Sequence, residues 1–230
     1  RIVVLESTLS QARGFNLLQK GQLDVYWAGT SFARERDYLA ITIPLEGGLL
    51  GYRVPVIARN RVSEFAKITT VAQLQKMVAC QGSQWPDSDI LEHNGFLVER
   101  VISFSLMYSM LAQQRCDYFP RGINEAYAEV NTQGHEELMV YDKLILRYPL
   151  PMYFFVNKQN KPLAKRLTQG LSQLLANGKL ADFLMHHPTT SAIFPLSRYQ
   201  ASQIFILDNP TLPKDFNNRE HHNWIEFSHQ

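Results

Sequence analysis

An α/β fold of two lobes, each a mostly parallel sheet flanked by helices and joined by two crossing strands, follows from three observations. Short apolar strands alternate with amphipathic helices along most of the chain, the pattern of parallel sheets covered by helices. Two extended runs carry proline, at 49–59 with Pro55 and at Tyr148-Pro149-Leu150-Pro151. Proline suits edge or crossover strands. Finally, the strand expected at 24–28 opens directly into Gly29-Thr30-Ser31, with Arg36 one short turn later. Open α/β sheets bind ligands outside the carboxyl ends of their strands.

Each element has a local reason. Residues 2–5 read as a strand and 8–20 as a helix capped by Ser7 or Thr8. Leu17 and Leu18 close the helix's apolar face, and Gly21 stands where a helix end wants positive φ. Strands follow at 24–28 and 39–43, and Gly47-Gly48 frees the chain before the first crossing. A second series begins with Thr69 or Thr70 capping a helix to Lys76, then a strand at 77–80 and the polar turn QGSQWPD at 81–87. Next come a helix at 88–94 closed by Gly95, a strand at 97–101, a helix at 105–114, a strand at 116–119 and a helix at 124–130. After an extended run at 138–146 the chain crosses back. It enters the strand PMYFFVNK and a helix at 162–176, with Pro162 in its first turn and Gly178 past its end. Residues 1–53 and 152–230 thus form one lobe, and 54–151 an inserted second. The tail from Asn209 is expected to wrap the first lobe through Trp224, Ile225 and Phe227.

Composition narrows the function. At 230 residues the chain suits one large domain or two lobes, and 45% apolar with 19% charged residues is that of a soluble globular protein. A net charge of +2, with Lys and Arg scattered, gives no reason to expect nucleic acid. No apolar stretch reaches the roughly 18–20 residues that span a bilayer, and the start RIVVLE lacks the features of a signal peptide. Cys80 and Cys116 fall in the apolar runs MVAC and RCDYF and read as two buried free thiols. The alternative, a disulfide, requires an oxidising compartment and a geometry that parallel ladders rarely give. His186-His187 and His221-His222 do not share a helical face, and no metal, dinucleotide, phosphate-loop or nucleophile-elbow motif is present. Neither cofactor nor metal is expected.

One ordered set of motifs resembles a known family. Leu18-Gln19-Lys20-Gly21-Gln22-Leu23-Asp24, then Gly29-Thr30-Ser31, Glu35-Arg36, and a strand from Ile41 to Pro44 are similar to the type 2 periplasmic solute-binding proteins, in particular extracellular solute-binding protein family 3. A second matching block runs from Tyr148 to Lys179, and the resemblance extends to about Phe183. Relatives begin with a strand and helix before the segment matching 2–5, so a chain that starts inside the fold is expected, with any targeting segment upstream.

The resemblance places Gly29, Ser31 and Arg36 on ligand-binding positions, with Thr30 adjacent. Arg36 would grip a carboxylate through charge-assisted bonds; alone, it would read as a solvated arginine. Arg34 is an alternative cation off the family register, and Ala33 replaces a common second Thr. On the second lobe the turn Gly82-Ser83-Gln84-Trp85 matches the family's polar loop, and backbone N–H groups there and at the following helix can receive an anion. Trp85 stacks on a ligand or covers the helix end. Gly122 stands where relatives carry an ammonium-binding Asp, and Arg121 beside it supplies a cation, so an anionic or carboxylate-bearing solute is favoured. Glu125 either replaces the missing carboxylate or is an exposed helix residue. The resemblance implies a periplasmic, monomeric binding protein that closes by a hinge and delivers its solute to an ABC-type permease. A receptor's sensor domain and a small-acid lyase on the same scaffold remain the other classes.

Overall fold

The computed structural model describes residues 2–5, 9–219 and 224–225. In chain order, α1 (Gln11–Gln19) is capped by Ser10 and buries Phe15 and Leu18. β1 (Tyr26–Gly29), α2 (Phe32–Asp37) and β2 (Leu39–Ile41) follow. A short 3-10 turn, Leu49–Gly51, leads into β3 (Tyr52–Ala58), which is buried along its whole length. α3 (Val62–Phe65) and α4 (Val71–Leu74) are single turns, the latter held by a Thr70/Gln73 capping box. Then come β4 (Val78–Gly82), α5 (Pro86–His93), β5 (Leu97–Val101), α6 (Phe104–Ala112), β6 (Phe119–Gly122) and α7 (Ile123–Thr132). β7 (Leu138–Val140), β8 (Leu144–Arg147) and β9 (Met152–Val156) lead to α8 (Lys161–Ala176), α9 (Lys179–His186) and β10 (Gln203–Ile206).

The mixed α/β class holds, but strand directions are less uniform than expected. β9 runs antiparallel between β1 and β2. β3 runs antiparallel to β6, β7 and β8, β10 is parallel to β8, and β4 is parallel to β5. The exceptions are the strands that leave the crossings. Without β3 and β9, the remaining strands of each sheet run the same way, so the expected parallelism survives among strands that do not cross.

Four further expectations need correcting. Residues 2–5 join no ladder, and Ile2, Val3, Val4 and Leu5 are exposed; a strand needs a partner, and none of the described strands lies beside them. Pro55 sits in the middle of a buried central strand, not at an edge. It faces Pro120 across the β3–β6 ladder, and two residues without N–H groups fit a pair of positions that exchange no hydrogen bond. β10 joins the sheet of β3, β6 and β8, so 203–206 do not belong with β1, β2 and β9. Lastly, Cys80 and Cys116 are joined in a disulfide, with Cα atoms 5.6 Å apart. Cys116 precedes β6, in a turn where Gln114 takes a positive φ. The constraint that disfavours disulfides within a parallel ladder therefore does not apply.

The two crossings run side by side. Leu45 N–H donates to Met152 O at 2.9 Å and Tyr148 N–H to Gly51 O at 3.0 Å. A Cβ at Gly51 would strike the Tyr148 carbonyl oxygen, so glycine alone permits this approach. Beyond β10 the chain passes between the two bodies a third time. Asp208 exchanges two hydrogen bonds with Asn94, Asn209 Nδ2 donates to Pro149 O, and Phe32 N–H donates to Thr211 O at 2.7 Å. Arg219 then pairs with Glu35 on α2 at 2.8 Å. This matches the expected wrapping of the first lobe as far as Arg219. Ile225 N–H also reaches Gly47 O, while Ser7, Thr8, His221, His222 and Phe227 lie outside the described residues.

The disulfide spans 36 residues of the second sheet system. Chain-entropy arguments give such a crosslink about 3–4 kcal/mol of stability. Replacing both cysteines by alanine should lower the urea midpoint accordingly, and dithiothreitol should shift the wild-type midpoint but not the variant's.

Candidate functional site

A cleft of about 780 Å³ opens between the β1 side of the molecule and the body built on β3. Its floor is charged and buried. Arg53, which leaves the first crossing on β3, is only 2% exposed and sends Nη2 to Asp87 Oδ1 at 2.6 Å. Tyr148, on the return crossing, donates its hydroxyl to the same oxygen at 2.6 Å. Asp87 lies in the first turn of α5, where the helix dipole favours a carboxylate. The anion expected from a ligand at this helix start is therefore supplied in part by the chain itself. Burial disfavours the Arg53 cation, yet Asp87, Tyr148 and Glu125 outweigh it and raise its pKa. Burial and Asp87 together push the Tyr148 phenol far up. Arg53 Nε and Nη1 find no hydrogen-bond acceptor among the described residues.

Arg121 lies alongside on β6, and its charge is already committed. Nε and Nη2 bind Glu129 bidentately at 2.7 and 2.6 Å, and Nη2 lies 2.8 Å from Glu125 Oε2. Trp85, Phe104 and Phe119 surround its guanidinium with ring centroids at 5.1, 5.4 and 5.2 Å. Tyr108 adds a hydrogen bond to Glu129 at 2.7 Å. Arg121 lines the cleft as expected, but its N–H groups serve the protein's own carboxylates. Glu125 is the residue that meets both arginines, at 2.8 Å from Arg121 and 3.8 Å from Arg53. Burial raises its pKa against the pull of Arg121. Behind it, burial and the charge of Glu125 raise Glu46 to about 8.

The residues singled out by sequence divide cleanly. Gly29, Gly82, Ser83, Gln84, Trp85 and Arg121 line the cleft. Thr30, Ser31 and Arg36 do not. Thr30 is buried with its hydroxyl donating to Glu35 Oε1 at 2.6 Å, and Ser31 caps α2. Arg36 lies on the outer face of α2, bonded to Asp37 at 2.7 and 2.8 Å. Residues 34 and 36 are two apart on a helix and cannot share a face. Arg34 takes the inner one: it donates to Gly29 O and Gln11 Oε1, and reaches Gln84 O on the opposite wall at 3.4 Å. Burial lowers its pKa to about 10. Trp85 lies flat over Gly82 and against Phe104 and Phe119 while also lining the cleft, so it both closes the turn and forms a wall. Sequence reasoning missed Arg53, although one charge inside the apolar run YRVPVIA was a usable signal. Asp87 and Tyr148 had no comparable mark. Among the described residues no cluster of His, Cys, Asp and Glu could hold a metal ion, and no helix is long and apolar enough to cross a membrane.

Three outcomes follow. Arg36→Ala should leave both melting temperature and ligand affinity unchanged, because among the described residues its side chain pairs with a solvent-exposed neighbour, Asp37. Arg53→Met strands a buried Asp87 carboxylate and should cost about 3–5 kcal/mol in chemical denaturation. Stability should also fall as pH rises from about 4.5 through 8. The folded protein keeps a proton on Glu46 that the unfolded chain has lost above its ordinary 4.5, so this contribution is complete below that pH and lost above 8. Glu125 adds a change of the same sign. Glu46→Gln should flatten the slope between pH 5 and 8 in a series of urea titrations.

No family model matches this chain, and no curated protein sequence does. Solved structures do resemble it. The probable amino-acid ABC transporter extracellular-binding protein YtmK from Bacillus subtilis is 13% identical, with a TM-score of 0.58 over 80% of this chain and 79% of that one. The BvgS periplasmic VFT2 domain of Bordetella pertussis is 16% identical, with a TM-score of 0.58 over 74% and 70%. An ancestral arginine-binding protein bound to arginine is 15% identical, with a TM-score of 0.56 over 73% and 72%. The chain therefore has the two-lobe, family 3-like fold of the periplasmic solute-binding proteins.

Proposed function

We propose that this chain is a periplasmic binding protein that closes on a small carboxylate-bearing solute, with Arg53 in place of Arg36 as the carboxylate anchor. The observation that carries this reading is Arg53 itself, buried on the cleft floor with two nitrogens lacking an acceptor. A buried donor without a partner costs free energy until something satisfies it. A ligand carboxylate would do so with a charge-assisted bond. The solute would be bound and handed on, not transformed.

The lobes in this reading are the body of β1, β2 and β9 with α1, α2, α8 and α9, and the inserted body of 54–151 joined by β10. Closure bends the chain at the adjacent crossings near 45–52 and 148–152. The acceptor of the loaded protein is an ABC-type permease. A second reading, the sensing domain of a receptor, is supported by fold likeness to a histidine kinase sensor domain as well as to the BvgS domain. Fold does not separate these two.

A thermal-shift screen of amino acids, di-acids and short peptides should find ligands that raise the melting temperature. Arg53→Lys keeps the charge but loses the guanidinium fork, and should weaken the best ligand by at least about tenfold, on the order of 1.4 kcal/mol. Scattering should show a smaller radius of gyration with ligand bound. Unchanged affinity in a folded Arg53→Lys variant removes Arg53 as the anchor.

A further inference from the structure

We propose that the solute is a zwitterion of peptide size with an apolar body, its charged end on the Arg53 floor and its body beneath Trp27 and Ile102. This proposal rests on the solute-binding reading above and narrows its ligand class.

Polarity changes sharply along the cleft. Arg53, Asp87 and Arg121 are 2–5% exposed at the floor, whereas Trp27 is 54% and Ile102 is 89% exposed, and all five line the same cavity. Trp27 comes from β1, and Ile102 from the loop between β5 and α6, so the two stand on opposite walls. Large apolar side chains left in water at the mouth of a cavity mark a surface that something covers. A small polar solute held at the floor would leave them wet, while a ligand with an apolar body would bury both when the lobes close.

Size and charge point the same way. A cavity of about 780 Å³ falls within the roughly 300–1,000 Å³ of sites that enclose drug-sized ligands, more room than one compact amino acid fills. At the floor, Arg53 Nε and Nη1 find no hydrogen-bond acceptor among the described residues, and the Glu125 carboxylate lies beside them, paired through Oε2 with Arg121 at 2.8 Å and with Arg53 at 3.8 Å. A carboxylate and an ammonium on one ligand would meet these two groups and add no net charge to a floor where two arginines already face Asp87, Glu125 and Glu129. Besides apolar residues, the lining carries neutral polar groups, Ser10 and Gln11 at the start of α1 and Ser83, Gln84 and Ser103 from the second body. Such hydroxyl and amide groups suit the N–H and C=O of peptide bonds.

The test is a calorimetric and thermal-shift panel of Leu-Phe, its C-terminal amide, leucine, phenylalanine, serine, glutamate and lysine. Leu-Phe should bind at least about tenfold more tightly than serine, glutamate or lysine, and the amide should lose at least about tenfold, corresponding to one 1.4 kcal/mol step in each case. Trp27→Ser and Ile102→Ser alter exposed positions, so they should keep the wild-type melting temperature while each weakens Leu-Phe several-fold. A polar amino acid that binds more tightly than Leu-Phe would overturn the proposal and leave the solute-binding reading standing. Lip variants that leave Leu-Phe affinity unchanged would do the same. Failure of every compound in this panel also overturns it, and the wider reading then falls only if the broader solute screen is blank as well.

Discussion

The knot formed by Arg53, Asp87 and Tyr148 is the constraint on which the rest of the molecule depends. Arg53 is the second residue of the outgoing strand β3, Tyr148 follows β8 on the way back, and Asp87 lies in the first turn of helix α5. One carboxylate oxygen receives both partners at 2.6 Å. Three segments distant in sequence are thus fixed at the point where the chain changes bodies. Buried ion pairs add little net stability over an apolar packing, but breaking one leaves an unpaired charge. The knot therefore specifies geometry more than it adds stability. It holds the arginine at the floor of the cleft, with two nitrogens left over.

The same logic explains why the Arg121 N–H groups serve the chain's own carboxylates. It sits beside Gly122, where the family this sequence resembles carries a carboxylate, and on sequence its charge looked available. In the fold, α7 follows β6 directly, and Glu125 and Glu129 come round on successive turns of the helix to face it. The pair spacing i,i+4 from Arg121 to Glu125 was visible in the sequence. Its consequence was hidden, because Arg121 belongs to the strand, and spacing within a helix does not say that the helix returns over the strand before it.

What could be read beforehand was largely periodic or local. Helix α8 with its proline start, the Thr70/Gln73 capping box and the turn at Gly82 all depend on neighbours in sequence. What could not be read depended on which of two near-equivalent choices the tertiary structure makes. Ser31 caps α2 and so fixes its phase, and that phase turns Arg34 inward and Arg36 out. A shift of two residues in a charge-rich helix reverses the assignment, while the family register pointed to Arg36. Pro55 is a similar case: the rule that excludes proline from central strands fails where the opposing residue is also proline. Cys116 misled because the strand it was assigned to starts three residues later, at Phe119.

The third passage between the bodies bears on the hinge. A strap fastened far from the crossings would have to stretch when the lobes close, and would resist closure. This one is fastened beside them. Residues before Asn209 are held by the second body, through Arg147 and Asn94. Asn209 itself donates to Pro149 O, on the return crossing. Thr211 and Arg219 contact α2, at Phe32 and Glu35, which belong to the first body, whereas Ile225 packs against the core built on β3 and donates its N–H to Gly47 O. In the proposed closure, the stretch from Asp208 to Arg219 would travel with the bodies it touches, and its passage lies close to the two crossings. In that proposed closure it would act as a third hinge strand, permitting rotation about the crossings while opposing the sliding or splaying that two strands alone would allow. Through Arg219, Glu35 and Thr30 it also ties the end of β1 to the tail, so the wall that carries Trp27 and Gly29 is fastened to α2.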